Sequence, residues 1–297
     1  MSGIGWLTGP LGYPFMQRAL LATLAVGVTA PVAGVWATTR RLVYLTDAMG
    51  HAVLAGVAAA ALLGTSLLAG GVVAAVLMAL LVAALVVRAR LPEDSAIGVA
   101  GQGLFALGVI GVSLSTEPRA LSHVLFGNPL TVAVTDVVAE LVVAAAVVAA
   151  VIVCLPILIA TTFDPGHART LGVRTGVVDT VVIVGLGLVM VIGLTTVGVL
   201  MALTLCIAPA AAARLLSARI HRVLALAAGF GVTAGIVGLL ASYHLGLPAG
   251  PLVAVVAVTE VATAAVVRSA RPRPVPGTSL VAAERSGHHE PAPAAQR

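Results

Sequence analysis

Long uncharged apolar runs, separated by short segments that carry arginine, dominate this chain. A bilayer core about 30 Å thick takes about 20 apolar residues per helix, so the run from Ala52 to Val87 is too long for one crossing. It predicts a hairpin turning near Gly64-Thr65-Ser66. The run from Val177 to Ala213, broken only by Asp179 and closed by Arg214, divides in the same way near Thr195-Thr196. The full pattern predicts helices over 16–38, 43–63, 67–87, 97–115, 134–158, 177–195, 197–213, 223–243 and 251–267. The fold class is therefore all-α, a polytopic membrane helix bundle of about nine transmembrane helices, with eight as the alternative.

Composition sharpens this picture. The 297 residues are 60% hydrophobic and 9% charged, where an ordinary soluble domain carries about 25% charge. All 16 basic residues are arginine. The lack of lysine excludes Schiff-base chemistry and a Walker A loop, so any ATP used must be hydrolysed by another chain. Cys154 and Cys206 lie deep in apolar runs and form no CxxC pair, which reads as two small buried hydrophobes. The net charge of +5 comes from arginines between apolar runs, a topology signal that points away from nucleic acid. No basic stretch precedes the first apolar run, so no removed signal peptide is expected.

Arginine placement predicts orientation, because positively charged loops stay cytoplasmic. Numbering the loops alternately puts fourteen of the 16 arginines on one face and leaves only Arg18 and Arg119 on the other. The expected arrangement is a cytoplasmic-membrane protein with its N-terminus outside and its C-terminus inside. Its parts would be a short extracytoplasmic N-terminus (1–14), a transmembrane domain (15–267) and a cytoplasmic tail (268–297). The Pro- and Ala-rich tail is expected to be disordered, and its His288 and His289 read as solvated residues or a weak metal-binding pair. Glycines such as Gly98/Gly101, Gly108/Gly111, Gly185/Gly187 and Gly193 predict close helix packing, since in lipid small residues let backbones approach.

An ionisable side chain at bilayer depth costs at least about 2.5–3.5 kcal/mol, so each one asks for a partner or a function. Asp47 and His51 start the second helix, four residues apart and hence on one face. Two readings fit this pair. A carboxylate oxygen and an imidazole nitrogen converging on one point make half of a site for Zn²⁺, Mn²⁺ or Fe²⁺, completed by a second copy or a related chain about a two-fold axis. Alternatively, a hydrogen bond between them only sets helix rotation. Glu140, Asp179 and Glu260 read as structural, with Glu260 and His244, at the outer mouth, as candidate supporting groups. His123, His167 and His221 fall in loops or at helix ends.

Several segments, in order, resemble the permeases of ABC-type zinc, manganese and iron importers. Arg40-Arg41-Leu42 through Leu45-Thr46-Asp47-Ala48-Met49-Gly50-His51-Ala52-Val53-Leu54-Ala55-Gly56 resembles that family's RRL…LGDAxSHAxLxG signature. Thr46 stands where glycine is usual and Gly50 where serine is usual. Glu93 to Gly98 is similar to EDTAIG, Phe163 to Val173 to FDPxxARxLGV, and Ser242-Tyr243 with Leu247 to Pro251 to a closing SY…LPxGP. Gly198 to Ala211 resembles the seventh-helix pattern.

The resemblance implies a type II ABC-importer permease-like bundle, not itself an enzyme, with no permanently bound cofactor. Its transported substrate would be a divalent metal ion, with Asp47 and His51 as transient ligands. The implied partners are a separate ABC ATPase, an extracytoplasmic metal-binding protein and a second permease subunit. It also implies that Asp164, Pro165, Ala168, Arg169, Leu171 and Gly172 form the ATPase-coupling loop. Asp164-Pro165 has the chemistry of a helix start and Gly172 that of a helix stop. Rival readings are an ion-coupled secondary transporter or a cobalamin/siderophore-type permease. An intramembrane hydrolase finds neither HExxH nor G-x-S-x-G here.

Overall fold

In a computed structural model, residues 9–114 and 134–270 are described, which leaves Arg119, His123, the tail pair His288/His289 and their surroundings outside. A 3₁₀ turn, Pro10–Gly12, leads into α1 (Pro14–Thr39). Then come α2 (Val43–Leu62), α3 (Leu67–Val87), α4 (Glu93–Leu114), α5 (Val134–Val153), α6 (Leu155–Phe163) and α7 (Pro165–Thr170). The chain continues through α8 (Thr175–Val197), α9 (Val199–Leu216), α10 (Ile220–Leu245) and α11 (Ala249–Ala270). Among the described residues, eight helices are long and apolar enough to cross a membrane, and a bent pair, α5 with α6, makes up to nine.

Local chemistry sets the breaks. The α2–α3 hairpin turns where expected, with Gly64 at φ +64° and the Ser66 hydroxyl accepting from the Ala69 N–H to cap α3. The split between α8 and α9 lies not at Thr195-Thr196 but at Gly198, whose φ of +89° only glycine adopts cheaply. The segment expected as one straight helix over 134–158 instead bends by 63° at Cys154. Pro156 is the physical cause: it has no N–H for the α5 ladder and starts a new helix comfortably.

Packing around α1 shows how the bent pair lies in the bundle. Glu140 of α5 sits beside Ala25 and Thr29, while Val147 to Leu158 lie beside Ala33 and Trp36. The pair therefore follows the second half of α1 in the same direction. The core divides into two main clusters. Buried Val26, Ala30, Met190, Met201, Leu205 and Val253 join α1, α8, α9 and α11. Leu45, Met49, Val53, Met78, Ile97 and Leu104 join α2, α3 and α4. Small residues allow the closest approaches: a Cβ at Gly34 would lie 1.7 Å from the Cys206 carbonyl oxygen, and one at Gly56 2.0 Å from that of Gly70. Gly187 and Gly193 are packed as expected, against Met49 and Ala202, but Gly185 faces an open apolar groove.

Candidate metal path and coupling segment

The turn that delivers α2 is built from the arginine pair. The Arg40 N–H donates to the Trp36 carbonyl and the Leu42 N–H to that of Ala37 (2.9 and 2.7 Å). Between them Arg41 takes the left-handed conformation at φ +61°, which reverses the chain within three residues. Thr46, where the importer signature has glycine, is buried, and its hydroxyl donates to the Leu42 carbonyl at 2.9 Å. Its extra polar group is therefore satisfied and the first turn of α2 keeps its shape.

One turn on, Asp47 Oδ1 and His51 Nε2 lie 3.8 Å apart. That is too long for a hydrogen bond, so the pair is not locked on itself. Two donors bound to one ion at about 2.1 Å with tetrahedral angles would be about 3.4 Å apart, a small adjustment from this spacing. The side chains remain 42% and 34% exposed, Asp47 the more open. Among the described residues no group of three His, Cys, Asp or Glu comes together, so one chain offers two donors.

The second wall of this site is α4, and here the sequence reading missed a residue. Gly98, Gly101, Gly108 and Gly111 of α4 abut Tyr44, Ala48, Ala55 and Ala58 of α2, so the two helices run parallel in close contact. Within that row of small residues stands one aromatic side chain, Phe105. It faces His51 edge-on, with ring centroids 5.1 Å apart and planes at 68°. The spacing 98, 101, 105, 108 is a helical stripe, and a lone phenylalanine in it could have been singled out from sequence. On the neighbouring face of α2, Gly50 leaves room for Met190 and Val199, which suits glycine where the signature has serine.

The other candidates are placed elsewhere. Glu260 accepts a 2.5 Å hydrogen bond from the Thr233 hydroxyl, joining α11 to α10. His244, near the end of α10, packs edge-on against Tyr243 (5.3 Å, 87°). Helices α10 and α11 pack on α1 and α9 rather than on α2, so neither residue joins Asp47 and His51. Glu140 is buried between α1, α5 and α8. Asp179 pairs with Arg40.

At the end of the bundle that holds Arg40, α7 forms as its caps predict. The Asp164 carboxylate accepts from the His167 N–H at 2.9 Å, Pro165 opens the helix, and Gly172 at φ +79° follows its end. Ala168 is fully buried against the bundle, whereas Phe163 and Leu171 are 62% and 65% exposed. Arg169 Nε donates to the Thr175 hydroxyl at 3.3 Å, bracing α7 on the start of α8. The outcome is a short, exposed helix with apolar residues at both shoulders.

Residues 12–268, which include the α2 signature, match the family model described as the ABC 3 transport family. The chain belongs to the ABC 3 transport family. Among similar proteins, the manganese transport system membrane protein MntC of Halalkalibacterium halodurans is 36% identical over 258 residues, 86% of this chain and 87% of the relative. MntC of Listeria monocytogenes is 32% identical over 252 residues (85% and 90%). The chelated iron transport system membrane protein YfeD of Yersinia pestis is 29% identical over 250 residues (84% and 84%). A solved structure, PsaBC from Streptococcus pneumoniae in complex with Fab, superimposes with a TM-score of 0.83 at 29% identity, covering 88% of this chain and 94% of that one. The chain is thus an ABC metal permease, a multi-pass membrane protein built on the bundle expected from its sequence.

Proposed function

We propose that this permease carries a divalent transition-metal ion into the cell, with Asp47 and His51 of each of two permease chains as transient ligands. Manganese and iron, named for its relatives, lead the list, and an oxygen-plus-nitrogen donor set also admits zinc. The observation that carries the reading is the pair itself: two unlocked donors, 3.8 Å apart and half-open, on the flank of the helix that bears the family signature. A site that grips through few ligands also releases, as conduction requires. A separate ABC ATPase docks on α7 and supplies the energy. An extracytoplasmic metal-binding protein delivers the ion, and the second permease subunit is a copy or a related chain. The N-terminus lies outside and α7 in the cytoplasm.

The test is uptake of Mn²⁺, Fe²⁺ and Zn²⁺ into vesicles holding the complete importer. Asp47→Ala and His51→Ala are each expected to lower uptake at least tenfold while permease–ATPase assembly is retained. Uptake driven by an ion gradient with no ATPase present, or normal uptake by both variants, would sink the proposal.

A further inference from the structure

Arg40 makes more cross-bundle contacts than any role in helix capping explains. Its side chain is 9% exposed, and every nitrogen of the guanidinium is engaged. Nε donates to the Thr162 hydroxyl at 3.0 Å, Nη2 to the Thr161 hydroxyl at 2.7 Å, and Nη1 pairs with the Asp179 carboxylate. Thr161 in turn donates to the Ile157 carbonyl at 2.9 Å, so its oxygen is oriented to accept. Thr161 and Thr162 end α6, just before α7 begins, and Asp179 lies one turn into α8, just after α7 ends. One planar fork therefore holds both flanks of the coupling segment, a geometry that arginine supplies and lysine does not. The backbone of the same residue opens the three-residue turn into α2, whose proposed ligands Asp47 and His51 lie about one and two helical turns into that helix.

We propose that Arg40 is a positioning residue that links the ATPase-docking segment to the ligand-bearing helix, so that displacement of α7 moves the end of α2. This rests on the reading of α7 as the docking element. Rigid elements joined by a stiff polar knot transmit small shifts, whereas a loose connection would absorb them. The acceptors come from two helices on either side of α7, so movement of either flank pulls on the same guanidinium.

The test uses the complete importer in vesicles and reads Mn²⁺ taken up per ATP hydrolysed. Arg40→Lys keeps the charge but offers one nitrogen in place of three spread over a planar fork. It is expected to cut that ratio at least fivefold, with assembly and basal ATP hydrolysis within twofold of the unsubstituted complex. Thr162→Val should lower the ratio in the same sense and Thr162→Ser should restore it, which keeps the proposal testable should Arg40→Lys fail to assemble. An unchanged ratio in Arg40→Lys or Thr162→Val, or losses that only follow the amount of assembled complex, would overturn the linkage. Leu171→Asp probes the docking reading separately: if that variant still binds the ATPase normally, α7 is not the docking element, whatever the Arg40 result.

Discussion

Phe105, in the α2–α4 seam, holds the imidazole of His51 from one side. An aromatic pair of this kind contributes about 0.5–1.5 kcal/mol beyond its buried area. Phe105→Leu is therefore expected to raise the apparent Km for metal about 2- to 10-fold with little change in assembly, measured as concentration-dependent uptake. At Glu260 the expectation is the opposite. Its hydrogen bond to Thr233 ties two helices that do not reach the ligand pair. Glu260→Gln should leave uptake within twofold, because the amide oxygen still accepts. Thr233→Val should lower the thermal stability of the solubilised permease by about 0.6–1.7 kcal/mol, the range for such bonds in membranes. Loss of uptake in Glu260→Gln would instead place that carboxylate on the ion's route.

At the scale of helices, the contact between α2 and α4 depends on the row of glycines. A Cβ at Gly108 would lie 2.8 Å from the backbone nitrogen of Ala55, which cannot retreat as a flexible side chain could. Gly108→Ala is expected to destabilise by about 1–3 kcal/mol and to lower metal uptake by shifting α4 and Phe105 away from His51. Gly103, on the same helix, has nothing within 4 Å of a built Cβ, so Gly103→Ala should be neutral or stabilise by up to about 1 kcal/mol. Thermal unfolding in detergent compares the two directly. Equal effects would mean that the seam does not depend on close approach.

For the whole molecule, hydrogen bonds across the bundle gather four helix ends on one side: the close of α1, the close of α6, the start of α8 and, through Arg214 and the Thr39 hydroxyl (2.7 Å), the close of α9. In the proposed topology, which follows the arginine count, that side faces the cytoplasm. In a background with Cys154 and Cys206 replaced, a thiol at Thr65 in the α2–α3 turn should react with a membrane-impermeant maleimide in intact cells. One at Ser217, after α9, should react only once the membrane is opened. The reverse pattern would invert the proposed topology.

Much of this was legible without coordinates, for reasons that differ by feature. Helix number and approximate bounds follow from bilayer thickness, which imposes one length on every apolar run. The cap chemistry of Asp164, Pro165 and Gly172 is local, and local chemistry is written in neighbouring residues. The bend at Cys154 was overlooked although Pro156 announces it, because an apolar run reads the same whether straight or bent. The hinge at Gly198 was displaced by three residues, since threonines and glycine both interrupt apolarity but only glycine takes a φ of +89°. What only the tertiary structure decided are the meetings between distant segments: Phe105 with His51, Arg40 with Thr161, Thr162 and Asp179, and Glu260 with Thr233. In a chain this uniformly apolar, hydrophobicity says which segments enter the membrane but not which faces touch, because lipid and protein neighbours are equally apolar. Partner choice there falls to the fit of small residues and to a few polar contacts, and these take effect only once the helices stand side by side.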